Sequence, residues 1–139
     1  MITEKIKRTQ AQLEKALIAL KQMIDKPMQE DRSNIDACIQ RFEFSVELFW
    51  KFLRRVLEGK GLVVLYPKEV IREAYAGGLI DNEALWLGML QDRNLTSHSY
   101  NEELADEIFE HIPAYYHAMW HTFLSVVSAS AAIEPVIGK

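Results

Sequence analysis

Residues 33–58, SNIDACIQRFEFSVELFWKFLRRVLE, carry an apolar side chain at every third or fourth position. Residues at this spacing lie on one face of an α-helix, so the stretch predicts a single long amphipathic helix. Its apolar seam alternates steps of four and three, a pattern typical of antiparallel helical bundles. The seam consists of Ile35, Ile39, Phe42, Val46, Phe49, Leu53 and Val56.

The segments on either side of this helix also favour helical structure. Upstream, residues 3 to about 26 repeat the amphipathic spacing, with Thr3 as the expected N-cap and Pro27 closing the helix. Downstream, residues 61–66 have no partner strand, which favours an extended connector. Residues 67–76 begin with proline and end before two glycines, which predicts a short helix.

Two further helices are predicted after this short one. Asp81 or Asn82 is expected to cap a helix that reaches about Leu95. Asn101 is expected to cap the last long helix, and Pro113 should kink that helix or split it in two. The chain is therefore predicted to be all-α, an antiparallel bundle of four long helices plus a short crossover helix.

Composition agrees with one domain spanning residues 1–139, with a frayed tail after about residue 131. Apolar residues make up 49% of the chain, which excludes a disordered protein, and the net charge of −4 argues against a general nucleic-acid coat. The single cysteine, Cys38, is expected to be a buried reduced thiol. No apolar run is long enough to span a bilayer, so the predicted location is the cytoplasm.

A metal site is the weakest functional interpretation of the sequence. His117 and His121 lie four apart, a spacing that presents two imidazoles to one metal ion. A zinc site needs three or four ligands, and His111 lies off that face. Surface histidines on a helix are the better interpretation, so we expect no metal and no cofactor.

Aromatic residues are concentrated between positions 42 and 52, as they are in some single-strand binders. Their helical spacing favours core packing instead. Phe44 and Trp50 lie off the main seam, which suggests a second interface such as a dimer contact. Glu47 and Lys51 form a favourable pair four residues apart, although a role beyond helix stabilisation is not evident.

The stretch QDRNLTSHSYN, residues 91–101, is the one segment that looks built for chemistry. It concentrates cationic, imidazole, amide, hydroxyl and phenol groups in the predicted turn between two helices. One interpretation is a capped polar junction in which Arg93 pairs with a nearby carboxylate, such as Asp92, Glu102 or Glu103.

The other interpretation is a phosphate site with a proton-transfer group beside it. Arginine is a permanent cation whose planar fork matches phosphate oxygens. Histidine, with a reference pKa of about 6.5, accepts and returns protons near neutrality. The helix that begins after Asn101 adds a field that favours an anion.

These residues resemble a known family. Arg93-Asn-Leu-Thr-Ser-His-Ser-Tyr100 matches the R-x4-H-x-Y signature of the HEPN superfamily. The wider chain is similar to the branch known as nucleotidyltransferase substrate-binding proteins, over roughly residues 3–125. The segments that carry this similarity are residues 41–51, 67–72, 78–81 and 86–100.

The resemblance implies a homodimer whose two motifs face one cleft, and a separately encoded minimal nucleotidyltransferase as partner. It implies a metal-independent endoribonuclease that acts as the toxin of a toxin–antitoxin pair. His98 would then deprotonate the ribose 2′-hydroxyl, and Arg93 would stabilise the charge on the phosphorane. Asn94 would orient the phosphate or His98. Tyr100 would help bind the RNA substrate and would accept AMP from the partner.

Two other functions remain open. The family name suggests a non-catalytic subunit that presents a substrate or nucleotide to the nucleotidyltransferase. A purely structural helical adaptor is the least favoured, because it leaves the polar junction unexplained.

Overall fold

The computed structural model describes residues 4–27 and 32–137, and the side chains of residues 4–27 and 32–129. Its described residues form five helices and no strand, which confirms the predicted all-α bundle of four long helices and one short helix. The expected N-cap Thr3 lies outside the described residues. The helices are α1 (Glu4–Ile24), α2 (Ser33–Gly59), α3 (Pro67–Ala76), α4 (Glu83–His98) and α5 (Glu102–Ile137).

Helix α2 is the centre of the bundle and contacts all four other helices. Its predicted seam is buried, apart from Val56, which is only partly covered. Phe49 meets the indole of Trp86 on α4 with ring centroids 4.9 Å apart. Burial of side chains of this size supplies most of the free energy that holds two helices together. The core therefore fixes how α4 lies against α2.

Helix α4 is longer than the sequence predicts, ending at His98 rather than at about Leu95. Thr96 and Ser97 are poor helix formers, but each hydroxyl donates a 3.0 Å hydrogen bond to the backbone carbonyl of Arg93. Both hydroxyls also contact the carboxylate of Glu43 on α2. Most of the polar stretch is thus the last part of a helix, and the expected turn is reduced to residues 99–101.

The predicted caps on either side of this region are confirmed for the two asparagines. The side chain of Asn82 accepts a 3.0 Å hydrogen bond from the backbone N–H of Leu85, at the start of α4. The side chain of Asn101 accepts a 2.9 Å bond from the N–H of Leu104, at the start of α5. Asn82 therefore fixes where α4 begins, and Asn101 fixes where α5 begins.

Pro113 does not split the last helix, since α5 is continuous from Glu102 to Ile137. Pro113 is exposed, so its ring lies on the solvent side of the helix rather than in the core. A kink at Pro113 and fraying after about residue 131 stay predictions. The connector at residues 62–65 has no regular structure, as expected.

Candidate functional site

Three carboxylates on α2 form a line that we call the acidic stripe, namely Asp36, Glu43 and Glu47. Their spacings of seven and four residues place them on one helix face, next to the apolar seam. The C-terminal half of α4 runs antiparallel along this face, because each carboxylate in turn meets a residue of the polar stretch. The acidic stripe therefore contacts two of the residues predicted to carry the chemistry, Arg93 and Tyr100.

Arg93 pairs with Glu47, through a distance of 3.1 Å between Nη2 and Oε2. The predicted partners Asp92, Glu102 and Glu103 are thus wrong, because the side chain faces α2 rather than the α4–α5 junction. The Nη1 group of Arg93 donates a 3.4 Å hydrogen bond to Asn94. Its Nε is buried and has no hydrogen-bond partner among the described residues. The contacts with Glu47 and Asn94 hold the guanidinium in place.

Glu47 receives more than one donor. The indole N–H of Trp50 donates to it over 3.1 Å, and the ammonium of Lys51 lies 3.2 Å away. Partial burial acts to raise the pKa of Glu47, but the hydrogen bonds from Trp50 and Lys51 and the charge of Arg93 outweigh it, and the pKa is lowered. Glu47 is ionised at neutral pH and orients the Arg93 guanidinium.

Glu43 anchors the last turn of α4. It accepts hydrogen bonds from the hydroxyls of Thr96 at 2.6 Å and Ser97 at 3.0 Å. Thr96 is buried, so its hydroxyl needs these partners to avoid a desolvation penalty. This contact explains why the helix continues through two residues that disfavour it.

Tyr100 follows the end of α4 and donates a 2.5 Å hydrogen bond to Asp36. Its side chain is still half exposed. Partial burial, together with the hydrogen bond to Asp36 and the charge of that carboxylate, raises the pKa of Tyr100 to about 12. The phenol is protonated at neutral pH, accessible from solvent, and in contact with a carboxylate that can accept its proton.

His98 is exposed on the last turn of α4. Five residues correspond to about 140° around a helix axis, so His98 and Arg93 lie on different faces of α4. A single chain thus brings Arg93, Asn94 and Glu47 together, and Tyr100 with Asp36, but leaves His98 directed to another side.

A cavity of about 460 Å³ lies beside Arg93, between α2, α3 and α4. His98 and Tyr100 are not among its lining residues. No pattern in the sequence predicts this cavity, although residues 67–72 belong to the segments that carry the family resemblance. Besides Arg93 and Asn94, its walls include Trp50, Tyr66, Lys68 and Arg72.

Trp50 was expected to lie at a second interface, and that prediction is wrong. Its side chain is buried, its indole N–H is bonded to Glu47, and Arg54 lies 5.4 Å from its ring centroid. Phe44, by contrast, is exposed, at 59% of its surface. Of the two residues, only Phe44 is free to contact another molecule.

The remaining sequence candidates have structural roles. His111 lies 3.0 Å from Asp92, which also accepts a 2.6 Å hydrogen bond from Tyr115. In the part of the chain with described side chains, no three His, Cys, Asp or Glu residues group as metal ligands would. Cys38 is a buried free thiol, as predicted, and burial raises its pKa to about 11.

None of the helices described here is long and apolar enough to cross a membrane.

Comparison with known proteins places these features in a wider context. A family model described as "Nucleotidyltransferase substrate binding protein like" matches residues 8–128. A "Probable ribonuclease HepT" from Haemophilus influenzae is 35% identical over an alignment of 83 residues, and the match covers 56% of this chain and 57% of that protein. The match thus spans little more than half of the curated relative. A crystal structure of a Thermus thermophilus protein superposes with a TM-score of 0.73 at 43% identity, covering 81% of this chain and 96% of that one.

Proposed function

The chain belongs to the nucleotidyltransferase substrate-binding-protein-like family, as its HEPN-type motif predicted, and we propose that it is a metal-independent endoribonuclease. The name of the Haemophilus influenzae relative supports this activity. The observation that carries the proposal is the placement of Arg93, whose guanidinium is oriented by Glu47 and lines the cavity between α2, α3 and α4. Such a group is suited to stabilising the negative charge that develops on a phosphorane.

The proposed reaction begins at His98, whose exposed imidazole accepts the proton of a ribose 2′-hydroxyl. The resulting oxygen attacks the adjacent phosphorus, and the bond from phosphorus to the 5′-oxygen of the next nucleotide breaks. The products are a cyclic phosphate and a 5′-hydroxyl, which forms when the departing 5′-oxygen takes up a proton from water, and His98 then releases its own proton to water. Arg93 stabilises the phosphorane, and Asn94 orients the phosphate beside it.

A homodimer completes this site in the proposal, because Arg93 and His98 face different sides of α4. Leu95 is 39% exposed and lies three residues before His98, so the two share an exposed face. A second copy packed on this face would bring its own motif to the same cleft and bury apolar surface. Isologous dimers of this kind are the commonest symmetric assembly.

Light scattering tests the dimer. The expected mass is twice the chain mass of 16.1 kDa, and Leu95→Lys should shift it towards the single-chain value. Val63→Lys, which alters an exposed apolar residue on the connector, is the matched control and should leave the mass unchanged. A single-chain mass for the parent protein at micromolar concentration would contradict the shared cleft.

A minimal nucleotidyltransferase is the proposed partner, acting as antitoxin in the cytoplasm. The phenol oxygen of Tyr100, whose side chain is half exposed, would attack the α-phosphorus of ATP, with Asp36 accepting the phenol proton and pyrophosphate leaving. The AMP adduct adds a bulky anion close to the RNA site. Treatment with the nucleotidyltransferase and ATP should suppress cleavage by the parent protein but not by Tyr100→Phe.

RNA cleavage by purified protein in EDTA tests the activity itself. We expect cleavage of RNA but not of DNA, which lacks the attacking hydroxyl. Arg93→Ala and His98→Ala should each lower the rate by at least about a hundred-fold. Lys15→Ala, an exposed change on α1, is the control. Absence of cleavage by the parent dimer would replace this proposal with the alternative, a non-catalytic subunit that binds nucleotide in the cavity beside Arg93.

A further inference from the structure

The cavity beside Arg93 is only partly used by the proposed chemistry. Its volume of about 460 Å³ lies within the range of about 300–1,000 Å³ in which proteins hold small ligands. Its lining includes Arg93 and Asn94 from α4 and Lys68 and Arg72 from α3. The cations of α3 therefore share this cavity with the residues proposed to bind a phosphate.

The cations of α3 are not neutralised within the described residues. Two carboxylates line the same cavity, Glu47 and Glu69, against the three cations Lys68, Arg72 and Arg93. Glu47 is already paired with Arg93 and Lys51. No carboxylate of the described residues lies within 4.0 Å of the charged groups of Lys68 or Arg72, and both side chains are exposed. In a chain with a net charge of −4, this is a local positive field that attracts an anion.

The start of α3 adds further donors to the same place. Its N-cap residue is Tyr66, and no side chain caps the helix. The first backbone bond into the helix runs from the N–H of Val70 to the carbonyl of Tyr66. The N–H groups of Lys68 and Glu69 precede it in the first turn, where they have no intrahelical acceptor. Amides in this position bind phosphate oxygens well, next to the two cations.

An aromatic surface lies at the edge of the cavity. Tyr66 lines it and is 64% exposed, so one face of its ring is available for stacking. Trp50 is less suitable, because it is buried and Arg54 lies over its ring. One nucleotide bound in the cavity would place its planar base beside Tyr66 and its phosphate beside Lys68.

The geometry points to a nucleotide subsite in this cavity, with the phosphate held by Lys68, Arg72 and the start of α3, and the base stacked on Tyr66. The placement of this unit next to the cleaved phosphate rests on the proposed ribonuclease function. The ligand chemistry is a nucleoside phosphate, which comes either from an RNA strand or from a free nucleotide.

Binding measurements test the subsite without requiring cleavage. The probes are AMP and a short RNA oligonucleotide with 2′-O-methyl groups, which lacks the attacking hydroxyl. The double variant Lys68→Ala/Arg72→Ala should weaken binding of at least one probe by about ten-fold or more. For the oligonucleotide, the slope of log affinity against log salt should fall by about 0.7, because the two cations hold one phosphate and each neutralised phosphate of a single strand contributes about 0.7.

Two variants guard the interpretation. Tyr66→Ala, on the connector, should weaken binding by about five-fold or more through lost stacking, whether or not the double variant folds. Lys7→Ala/Lys15→Ala removes the same charge from exposed positions on α1 and should leave both affinities unchanged. An equal loss in this control would overturn the subsite, because it would show only general charge attraction.

The outcomes separate the two proposals. Variant-sensitive binding of the oligonucleotide alone assigns the ligand to an RNA strand, and binding of AMP alone assigns it to a free nucleotide. Either result without any RNA cleavage supports the subsite while refuting the ribonuclease. Unchanged binding of both probes by the α3 and Tyr66 variants overturns the subsite, even if cleavage of RNA proceeds normally.

Discussion

The two halves of α4 are both helical, but different forces hold them. The first half is held by apolar burial, with Trp86 and Met89 packed into the core. The second half carries Arg93 and His98 of the R-x4-H-x-Y motif and is held by carboxylates of the acidic stripe, through Arg93, Thr96 and Ser97. Apolar contacts tolerate small shifts, whereas hydrogen bonds to carboxylates set direction. Burial in the core stabilises the first half of α4, and the acidic stripe orients the side chains of the second half.

The largest effect is expected in the apolar half. Trp86→Ala removes a side chain that is only 2% exposed and packs on Phe49, so the free energy of unfolding should fall by about 3–5 kcal/mol. Gln91→Ala, on an exposed position of the same helix, should change it by less than about 0.5 kcal/mol. Denaturant titration measures both. A similar small change for the two variants would show that burial does not hold this half.

A moderate effect is expected where the acidic stripe anchors the last turn. Glu43→Ala removes the acceptor shared by Thr96 and Ser97 and should cost about 1–2 kcal/mol. Amide hydrogen exchange should also become faster around residues 95–98, since the end of the helix loses its anchor. Glu58→Ala, an exposed carboxylate near the end of the same helix as Glu43, is the control. Unchanged exchange in Glu43→Ala would contradict the anchoring role.

A smaller, pH-dependent effect is expected at Glu47. Its pKa in the folded protein lies below the unfolded value of about 4.3, so its stabilising contribution is present above that pH. The contribution is lost as the pH falls through the folded pKa. Glu47→Gln should therefore be less stable than the parent near neutrality, by less than about 1 kcal/mol, and the difference should shrink below about pH 4. If the difference in the free energy of unfolding between the two proteins did not change with pH, the charge of Glu47 would not be what stabilises the fold.

The smallest effect on stability is expected at His98, because the side chain is exposed. His98→Ala should alter the free energy of unfolding by less than about 0.5 kcal/mol while removing RNA cleavage. Thermal unfolding and an activity assay on the same preparation separate the two effects. A large loss of stability would instead mark His98 as a structural residue.

The sequence predicts the first half of α4 well and the second half poorly. The apolar seam of α2 and the caps Asn82 and Asn101 are local signals, so the helices and most of their ends are predicted correctly. The continuation to His98 depends on Glu43, which is 53 residues from Thr96, and propensity alone favours a turn there. A contact at this distance leaves no trace in local composition.

The residues of the motif can be recognised from their spacing in the sequence. The residues that hold their side chains in place cannot. The sequence predicts Glu47 only as the partner of Lys51, because its contact with Arg93 depends on the packing of α4 on α2. The one available signal was the seven-and-four spacing of Asp36, Glu43 and Glu47, which places three carboxylates on one face. The cavity also depends on how α3 crosses the bundle, and no pattern within one helix encodes that.

The most direct test of the proposed function is the fate of one RNA in two forms, with and without the 2′-hydroxyl at the cleaved position. In EDTA, the parent protein should cut the unmodified RNA and leave a cyclic phosphate, and it should not cut at a single 2′-deoxy nucleotide placed there. His98→Ala should cut neither form. Cleavage of the deoxy-substituted position at an undiminished rate would contradict attack by the 2′-hydroxyl and with it the role assigned to His98.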